Sequence, residues 1–129
     1  MPIEHVALWT ANLEELKEFY VRYFGVTAGE KYDPDDRPFE SYFLSFSDGA
    51  RLELMRRPDI ADPGLGAGVQ TMGWTHIAIS VGSRERVDAL TTELDEAGYT
   101  IASPARTTGD GYYESVVLDP DGNRVEITI

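Results

Sequence analysis

The sequence contains no cysteine and only two histidines. Without cysteine there is neither a disulfide framework nor a thiolate metal site, so we expect a cytoplasmic protein. No apolar run approaches the roughly 18 residues that a membrane-spanning helix needs, and the N-terminus lacks the basic start and apolar core of a signal peptide. We therefore expect no membrane partner.

Basic residues are also scarce, with 11 Lys and Arg against 23 Asp and Glu and a formal net charge of -12. A surface of this charge repels a phosphate backbone, so we expect no nucleic-acid partner. The 129 residues suffice for one domain with a core. The hydrophobic share of 42% and the charged share of 26% are typical of soluble globular proteins.

One short pattern occurs twice. Residues 48–54 read DGARLEL, and residues 121–127 read DGNRVEI. In each copy Asp-Gly favours a tight turn, because Asp bonds its own backbone and Gly tolerates positive φ. An alternating strand follows, with Arg and Glu on one face and aliphatic residues on the other. The repeat predicts two similar modules.

The order of predicted elements is the same in both modules, strand–helix–strand–strand–strand. In module one, residues 1–57, we predict strands at 3–9, 27–32, 41–46 and 51–55, with a helix that Asn12 caps and Gly25 ends. In module two, residues 74–129, we predict strands at 74–81, 99–102, 112–118 and 124–129, with a helix that Ser83 caps and Gly98 ends. Residues 58–73, rich in Gly, Pro and Ala, form a connector. The fold class is therefore α+β, with two tandem βαβββ modules in a single domain, 1–129.

The two histidines occupy matched positions, His5 in the first strand of module one and His76 in the first strand of module two. The alternation places each histidine, with a small alanine two residues later, on the face opposite the aliphatic residues. Glu53 and Glu126 lie on the corresponding face of the closing strands. If the first and last strands of each module are neighbours, two imidazoles and two carboxylates converge on one concave surface.

Two imidazoles and two carboxylates suit a divalent metal ion. Imidazole favours Zn, Ni, Co, Fe or Cu, carboxylate oxygen adds Mn, and the two negative charges balance the ion. Four protein ligands in a six-coordinate site leave two positions open for water or substrate. Polar residues that alternate with aliphatic ones also mark the solvated face of a half-buried strand. The pattern alone leaves both interpretations open.

Further residues resemble a known family. These are the opening His5-Val6-Ala7-Leu8, the helix end at Phe19-Tyr20 and Phe24-Gly25, and the closing Asp119-Pro120-Asp121-Gly122-Asn123-Arg124-Val125-Glu126. Together with the paired modules, they resemble the vicinal oxygen chelate superfamily, within which glyoxalase I is the nearest likeness. The resemblance covers essentially the whole chain. It implies a curved mixed β-sheet cup with the helices on the outside.

The resemblance also implies a site. The family's four metal positions fall on His5, Glu53, His76 and Glu126, which implies one divalent metal ion per site (Zn, Ni, Co, Mn or Fe). In glyoxalase I a metal-bound Glu acts as the base on a substrate C–H while the metal stabilises the enediolate. Here Glu126 is the stronger candidate for that base and Glu53 the alternate. Short members of the superfamily are commonly homodimers with their sites at the interface, so we expect a homodimer acting on a small molecule.

The departures from glyoxalase I fall on substrate recognition. Trp9 stands where a basic residue binds the glutathione carboxylate, Arg57 stands at an Asn position, and Thr108 lies near a Lys position. These departures argue against a glutathione hemithioacetal as the substrate. The candidate contacts for another anionic or aromatic substrate are Trp9, Arg57, Arg106, Tyr112 and Tyr113. An ordinary surface role for each is equally open.

Three other functions compete with a lyase or isomerase of the glyoxalase I type. A ring-cleaving dioxygenase would use two His and one Glu to hold iron. A bleomycin-resistance-type protein would sequester a ligand without catalysis, and a duplicated scaffold would have no active site. Metal-free binding proteins of the superfamily generally lack the full ligand set. The presence of all four ligand types therefore favours the enzyme.

Overall fold

The structure is a computed structural model that describes all residues, 1–129. Its elements are β1 (His5–Trp9), α1 (Leu13–Phe24), β2 (Thr27–Ala28), β3 (Glu40–Ser45), β4 (Arg51–Arg56), β5 (His76–Ser80), α2 (Arg84–Glu96), β6 (Ile101–Thr107), β7 (Tyr113–Leu118) and β8 (Arg124–Thr128). The order strand–helix–strand–strand–strand occurs twice. The predicted α+β class with two tandem βαβββ modules is confirmed. The chain divides into two compact units, Met1–Pro63 and Gly64–Ile129.

Each unit contains one four-stranded mixed sheet. The strand order is β1-β4-β3-β2 in the first unit and β5-β8-β7-β6 in the second. In both sheets the first strand runs parallel to the last one, and the remaining pairs are antiparallel. The first and last strands of each module are therefore neighbours, which is the condition for a histidine and a glutamate to meet.

Helix α1 packs against β3 and β4 because its apolar residues recur at helical spacing. Its buried side chains are Leu13, Leu16, Phe19, Tyr20 and Tyr23. Leu52 and Leu54 of β4 are buried as well. The helix ends at Gly25, whose φ of 65° suits a residue without a side chain, and the Gly25 N–H donates to the carbonyl oxygen of Val21 at 3.2 Å.

Helix α2 begins at the predicted cap, where the Ser83 side-chain oxygen accepts a hydrogen bond from the Arg86 N–H at 3.2 Å. The buried helix residues are Val87, Leu90 and Leu94. The helix contacts β6, β7 and β8, and Val125 and Ile127 of β8 are fully buried. Their neighbour Glu126 belongs to the opposite face of the strand, which the helix does not cover.

The segment 58–73 contains neither helix nor strand. Its final part packs against the turn between β7 and β8, where the Gly68 N–H donates to the Gly122 carbonyl oxygen at 3.0 Å. A Cβ atom on Gly122 would lie 2.7 Å from the Cα atom of Ala67, so this approach requires glycine. None of the helices combines the length and the apolar character needed to span a membrane.

Candidate functional site

The first His–Glu pair lies on the side of the first sheet opposite α1. In the parallel pairing of β1 with β4, His5 is in register with Arg51 and Ala7 with Glu53. His5 and Glu53 therefore lie two residues apart on adjacent strands and share a face. The distance between His5 Nε2 and Glu53 Oε2 is 3.8 Å. The small side chain of Ala7 leaves room beside the imidazole.

The second unit repeats this geometry. His76 is in register with Arg124, and Ala78 is in register with Glu126. The distance between His76 Nε2 and Glu126 Oε2 is 3.4 Å. The exposed fractions of the two side chains, 38% and 15%, nearly equal the 41% and 14% of His5 and Glu53. The duplicated sequence pattern therefore corresponds to a duplicated pair of side chains. In each pair the histidine is partly exposed and the glutamate is mostly buried.

The carboxyl of Glu126 has a second carboxyl beside it. Burial raises the pKa of Glu126 above its ordinary value, a hydrogen bond with Glu114 and the charge of Glu114 raise it further, and nearby His76 opposes the shift. Sequence reasoning missed Glu114. The alternation of β7 could have indicated it, because Glu114 shares a face with Val116, and Val116 is in register with Glu126.

The imidazole of His5 also has a carboxylate neighbour that sequence reasoning missed. His5 Nδ1 donates to Oε2 of Glu4, and Arg51 donates to the other oxygen of the same carboxylate. These two hydrogen bonds hold the pKa of Glu4 below its ordinary value, that from His5 having the larger effect. The ring of Phe43 lies edge-on to His5, with 5.4 Å between the ring centroids.

The two pairs fit the donor chemistry of a divalent metal. Two ligands that each lie about 2.1 Å from one ion, at angles between 90° and 110°, are about 3 to 3.5 Å apart. The 3.4 Å of the second pair falls within that range, and the 3.8 Å of the first is slightly longer. Nowhere do three or more His, Asp or Glu side chains form a group that could hold an ion. Each pair thus offers two ligands.

Two of the residues predicted to contact substrate lie together in the first unit. Trp9 is 41% exposed. It follows His5 and Ala7 on the same face of β1. The guanidinium carbon of Arg57 lies 5.2 Å from the centroid of the Trp9 ring, and Phe39 approaches the same ring edge-on with 6.2 Å between the centroids. Arg57 also donates to Asp59 Oδ1 at 2.6 Å. The result is an exposed aromatic surface beside a guanidinium.

The other three predicted contacts lie on β6, on β7 and in the turn between them. Arg106 is in register with Glu114, and Tyr112 is 57% exposed. The hydroxyl of Tyr113 donates to Asp88 of α2 at 2.5 Å, which places Tyr113 on the helix side of the sheet, away from Glu126. Thr108 accepts a hydrogen bond from the Tyr112 N–H at 3.2 Å within this turn.

Several solved structures are similar to this chain over its whole length. A possible glyoxalase from Bacillus cereus is 25% identical, with 100% of this chain and 99% of that chain covered and a TM-score of 0.72. The trypanothione-dependent glyoxalase I of Leishmania major is 22% identical, with 99% and 86% covered and a TM-score of 0.72. The lactoylglutathione lyase of Agrobacterium tumefaciens is 21% identical, with 98% and 91% covered and a TM-score of 0.67.

At identities of this size, the likeness to the Leishmania and Agrobacterium structures establishes the fold alone. No curated protein matches the sequence. A family model does match, over residues 2–127. On that match, the chain belongs to the Glyoxalase/Bleomycin resistance protein/Dioxygenase superfamily.

Proposed function

We propose that the protein is a divalent-metal-dependent lyase or isomerase of the glyoxalase I type. It would abstract a proton from the carbon next to a carbonyl in a small substrate with vicinal oxygens, which gives an enediolate. The observation that carries the proposal is the pairing of an imidazole with a carboxylate on the open face of each sheet, at 3.8 Å and 3.4 Å. Membership of the superfamily supports it.

The residues that would hold the ion are His5, Glu53, His76 and Glu126. When bound, a divalent ion (Zn, Ni, Co, Mn or Fe) acts as a Lewis acid that polarises the substrate oxygens. The carboxylates of Glu53 and Glu126 would balance its two positive charges, so that the half-buried site carries little net charge.

We propose that the site is completed in a homodimer, in which His5 and Glu53 of one protomer act with His76 and Glu126 of its partner. Each His–Glu pair offers two ligands, fewer than the three protein ligands of a typical catalytic metal site. A monomer in which the pairs remain apart would bind metal weakly. A monomer in solution scattering that retains a full complement of metal would contradict this arrangement.

Glu126 is the proposed base, and Glu53 is the alternate. A base has to reach a substrate hydrogen, so a side chain on the open face of the sheet is required. Both glutamates meet that requirement. Their neighbours differ, because Glu126 faces the carboxyl of Glu114 whereas Glu53 is in register with the apolar ring of Phe43. Replacing each glutamate by glutamine separates the two roles.

The substrate is proposed to differ from the glutathione hemithioacetal. Trp9, with Arg57 and Phe39 around its ring, presents an aromatic surface and one guanidinium to a substrate. The Trp9 ring suits an aromatic group, and the Arg57 guanidinium suits an anionic one. One similar structure is a trypanothione-dependent glyoxalase I, so the thiol carrier varies on this fold. Arg106 and Tyr112 are further proposed contacts. Tyr113 stays a predicted contact that nothing tests, and its hydroxyl bonds to Asp88 of α2.

The test is turnover of hemithioacetals made from methylglyoxal and a series of thiols, glutathione among them, by protein loaded with each metal in turn. We expect turnover with at least one metal and a loss of about 10² or more in kcat for Glu126→Gln. Glu93→Gln, an exposed change on α2, is the matched control and should keep full activity. A Glu126→Gln variant as active as wild type would contradict the proposed base.

The same assay separates the competing functions. Oxygen uptake with a catechol in the iron-loaded protein, without lyase turnover, would identify a dioxygenase. Absence of turnover with every metal and every thiol would contradict hemithioacetal chemistry. In that case tight binding of an aromatic ligand to the metal-free protein, followed by tryptophan fluorescence, would favour a binding protein.

A further inference from the structure

Glu4 lies between His5 and an arginine of the neighbouring strand. One carboxylate oxygen of Glu4 accepts from His5 Nδ1, and the other accepts from Arg51 Nε at 2.8 Å. The Arg51 backbone N–H also donates to the Glu4 carbonyl oxygen at 3.0 Å. The guanidinium carbon of Arg51 lies 4.1 Å from the centroid of the Phe43 ring. The carboxylate is therefore held in place although Glu4 is exposed.

A carboxylate that accepts a hydrogen bond from Nδ1 requires a proton on that nitrogen. In a neutral imidazole the other nitrogen, Nε2, then carries the lone pair. In this structure Nε2 is the nitrogen that faces Glu53, at 3.8 Å from its carboxylate. The edge-on ring of Phe43 restricts rotation of the imidazole, because that rotation would break this ring contact.

We propose that Glu4 is a positioning residue that fixes His5 in the tautomer with the proton on Nδ1, so that the Nε2 lone pair faces Glu53. The second module lacks this arrangement. There the residue that precedes His76 is Thr75, whose hydroxyl donates to Gln70 Oε1 at 3.4 Å. The two histidines therefore lie in the same way beside a glutamate. Only His5 also has a carboxylate that bonds to its Nδ1.

The consequence for metal binding rests on the proposed function. A carboxylate that accepts the outer N–H of a metal-binding imidazole orients the ring and makes the ligating nitrogen more basic, and its loss typically weakens metal affinity 10- to 100-fold. Because Glu4 is exposed, we expect its removal to have an effect near the lower end of that range. Glu30→Ala, another exposed glutamate of the same unit, provides the control.

The direct test is ¹⁵N NMR of the imidazole rings in metal-free protein at about pH 8.5, where an ordinary imidazole is neutral. With only two histidines, a His5→Gln variant assigns both rings. In wild type we expect His5 to be protonated on Nδ1 and unprotonated on Nε2. In Glu4→Ala the shifts of the two His5 nitrogens should move towards the usual mixture of tautomers. His76 should not change, and neither ring should change in Glu30→Ala.

The metal measurement is separate. Titration calorimetry with Zn²⁺ should give a dissociation constant about tenfold weaker for Glu4→Ala than for wild type. A wild-type His5 with its proton on Nε2, or a tautomer that is the same in Glu4→Ala, would overturn the proposal. A tautomer shift in protein whose wild type binds no metal would support the positioning role and contradict the proposed metal site instead.

Discussion

At the residue scale, the two His–Glu pairs share their spacing and differ in their neighbours. His5 has Glu4 on its outer nitrogen, whereas Glu126 has Glu114 beside its carboxyl. If one ion is held by one pair from each module, its ligands are not equivalent. One side of the site would have a positioned imidazole, and the other would have a carboxylate in contact with a like charge.

These neighbours mark the limit of what the sequence could predict about single residues. Alternation in the strands predicted that each histidine and glutamate share a face, because successive side chains of a strand point to opposite sides. It could not predict that Glu4 bonds to His5, since that contact depends on Arg51 being in register with His5. The contact of Glu114 with Glu126 likewise depends on the pairing of β7 with β8.

A cluster of charged side chains in the first unit allows a test at this scale. Lys31 Nζ lies 3.1 Å from Glu14 Oε1 and 2.5 Å from Glu40 Oε1, and Arg56 lies 3.0 Å from the other Glu40 oxygen. The hydrogen bond from Lys31 is the largest cause that lowers the pKa of Glu40 below its ordinary value, and it acts in the same way on Glu14.

Because these carboxyl pKa values are lower in the folded protein, the stabilisation is present above the unfolded pKa and is lost as pH falls through the folded pKa. Lys31→Met should therefore lower the free energy of unfolding at pH 7. The deficit should shrink as the pH falls from about 5 towards 2. Arg86→Met removes one exposed positive charge from α2 and serves as the control. Urea unfolding at several pH values measures both, and a deficit independent of pH would contradict this account.

At the element scale, the sequence predicted the elements with strong local signals and misjudged the bounds of two edge strands, β2 and β6. Helix α2 starts after Ser83, whose oxygen forms the expected cap, because that bond is local in sequence. Asn12 precedes α1 as predicted, but its side chain forms no capping hydrogen bond. The nearby Thr10 hydroxyl instead accepts from the Asn12 N–H at 2.9 Å.

Strand β2 is shorter than predicted, and strand β6 is longer. The strand predicted at 27–32 extends only over Thr27–Ala28, with a single bridge between Tyr32 and Ser41 beyond it. The strand predicted at 99–102 instead occupies Ile101–Thr107. Pro104 lies within β6, an edge strand, where proline is tolerated on the unpaired side, and the pairing of β6 with β7 contains register shifts. These lengths depend on pairing with β3 and β7, which local sequence does not encode.

The turn between β7 and β8 gives a prediction at the element scale. Gly122 has a φ of 82°, and an added Cβ would lie 2.7 Å from both the Cα and the Cβ atoms of Ala67. Gly122→Ala should therefore lower the free energy of unfolding by about 1–3 kcal/mol through strain and backbone displacement. Urea denaturation measures the loss.

Gly109→Ala is the matched control, because an added Cβ there would meet no heavy atom within 4 Å and its φ lies outside the left-handed region. Its free energy of unfolding should stay within about 0.5 kcal/mol of wild type. Equal losses of unfolding free energy in the two variants would show that the close approach of Ala67 is not the reason why position 122 requires glycine.

At the scale of the whole molecule, the chain consists of two modules with the same element order and the same His–Glu pairing. The family model matches residues 2–127, a span that includes both modules. The composition could predict a globular domain, and the two copies of the Asp-Gly pattern could predict two similar modules. The proposed substrate contacts are a few side chains around Trp9 and in and beside the turn at 108–112. Their types follow no periodic pattern from which a ligand could be identified.

We propose that His5, Glu53, His76 and Glu126 together hold a divalent metal ion. The most direct measurement is elemental analysis of the dialysed protein, wild type beside Glu126→Ala, with Glu93→Ala as the control for surface charge. We expect about one metal ion per chain in wild type and in Glu93→Ala, and much less in Glu126→Ala. Wild-type protein that retains no metal after reloading with Zn, Ni, Co, Mn and Fe would contradict it.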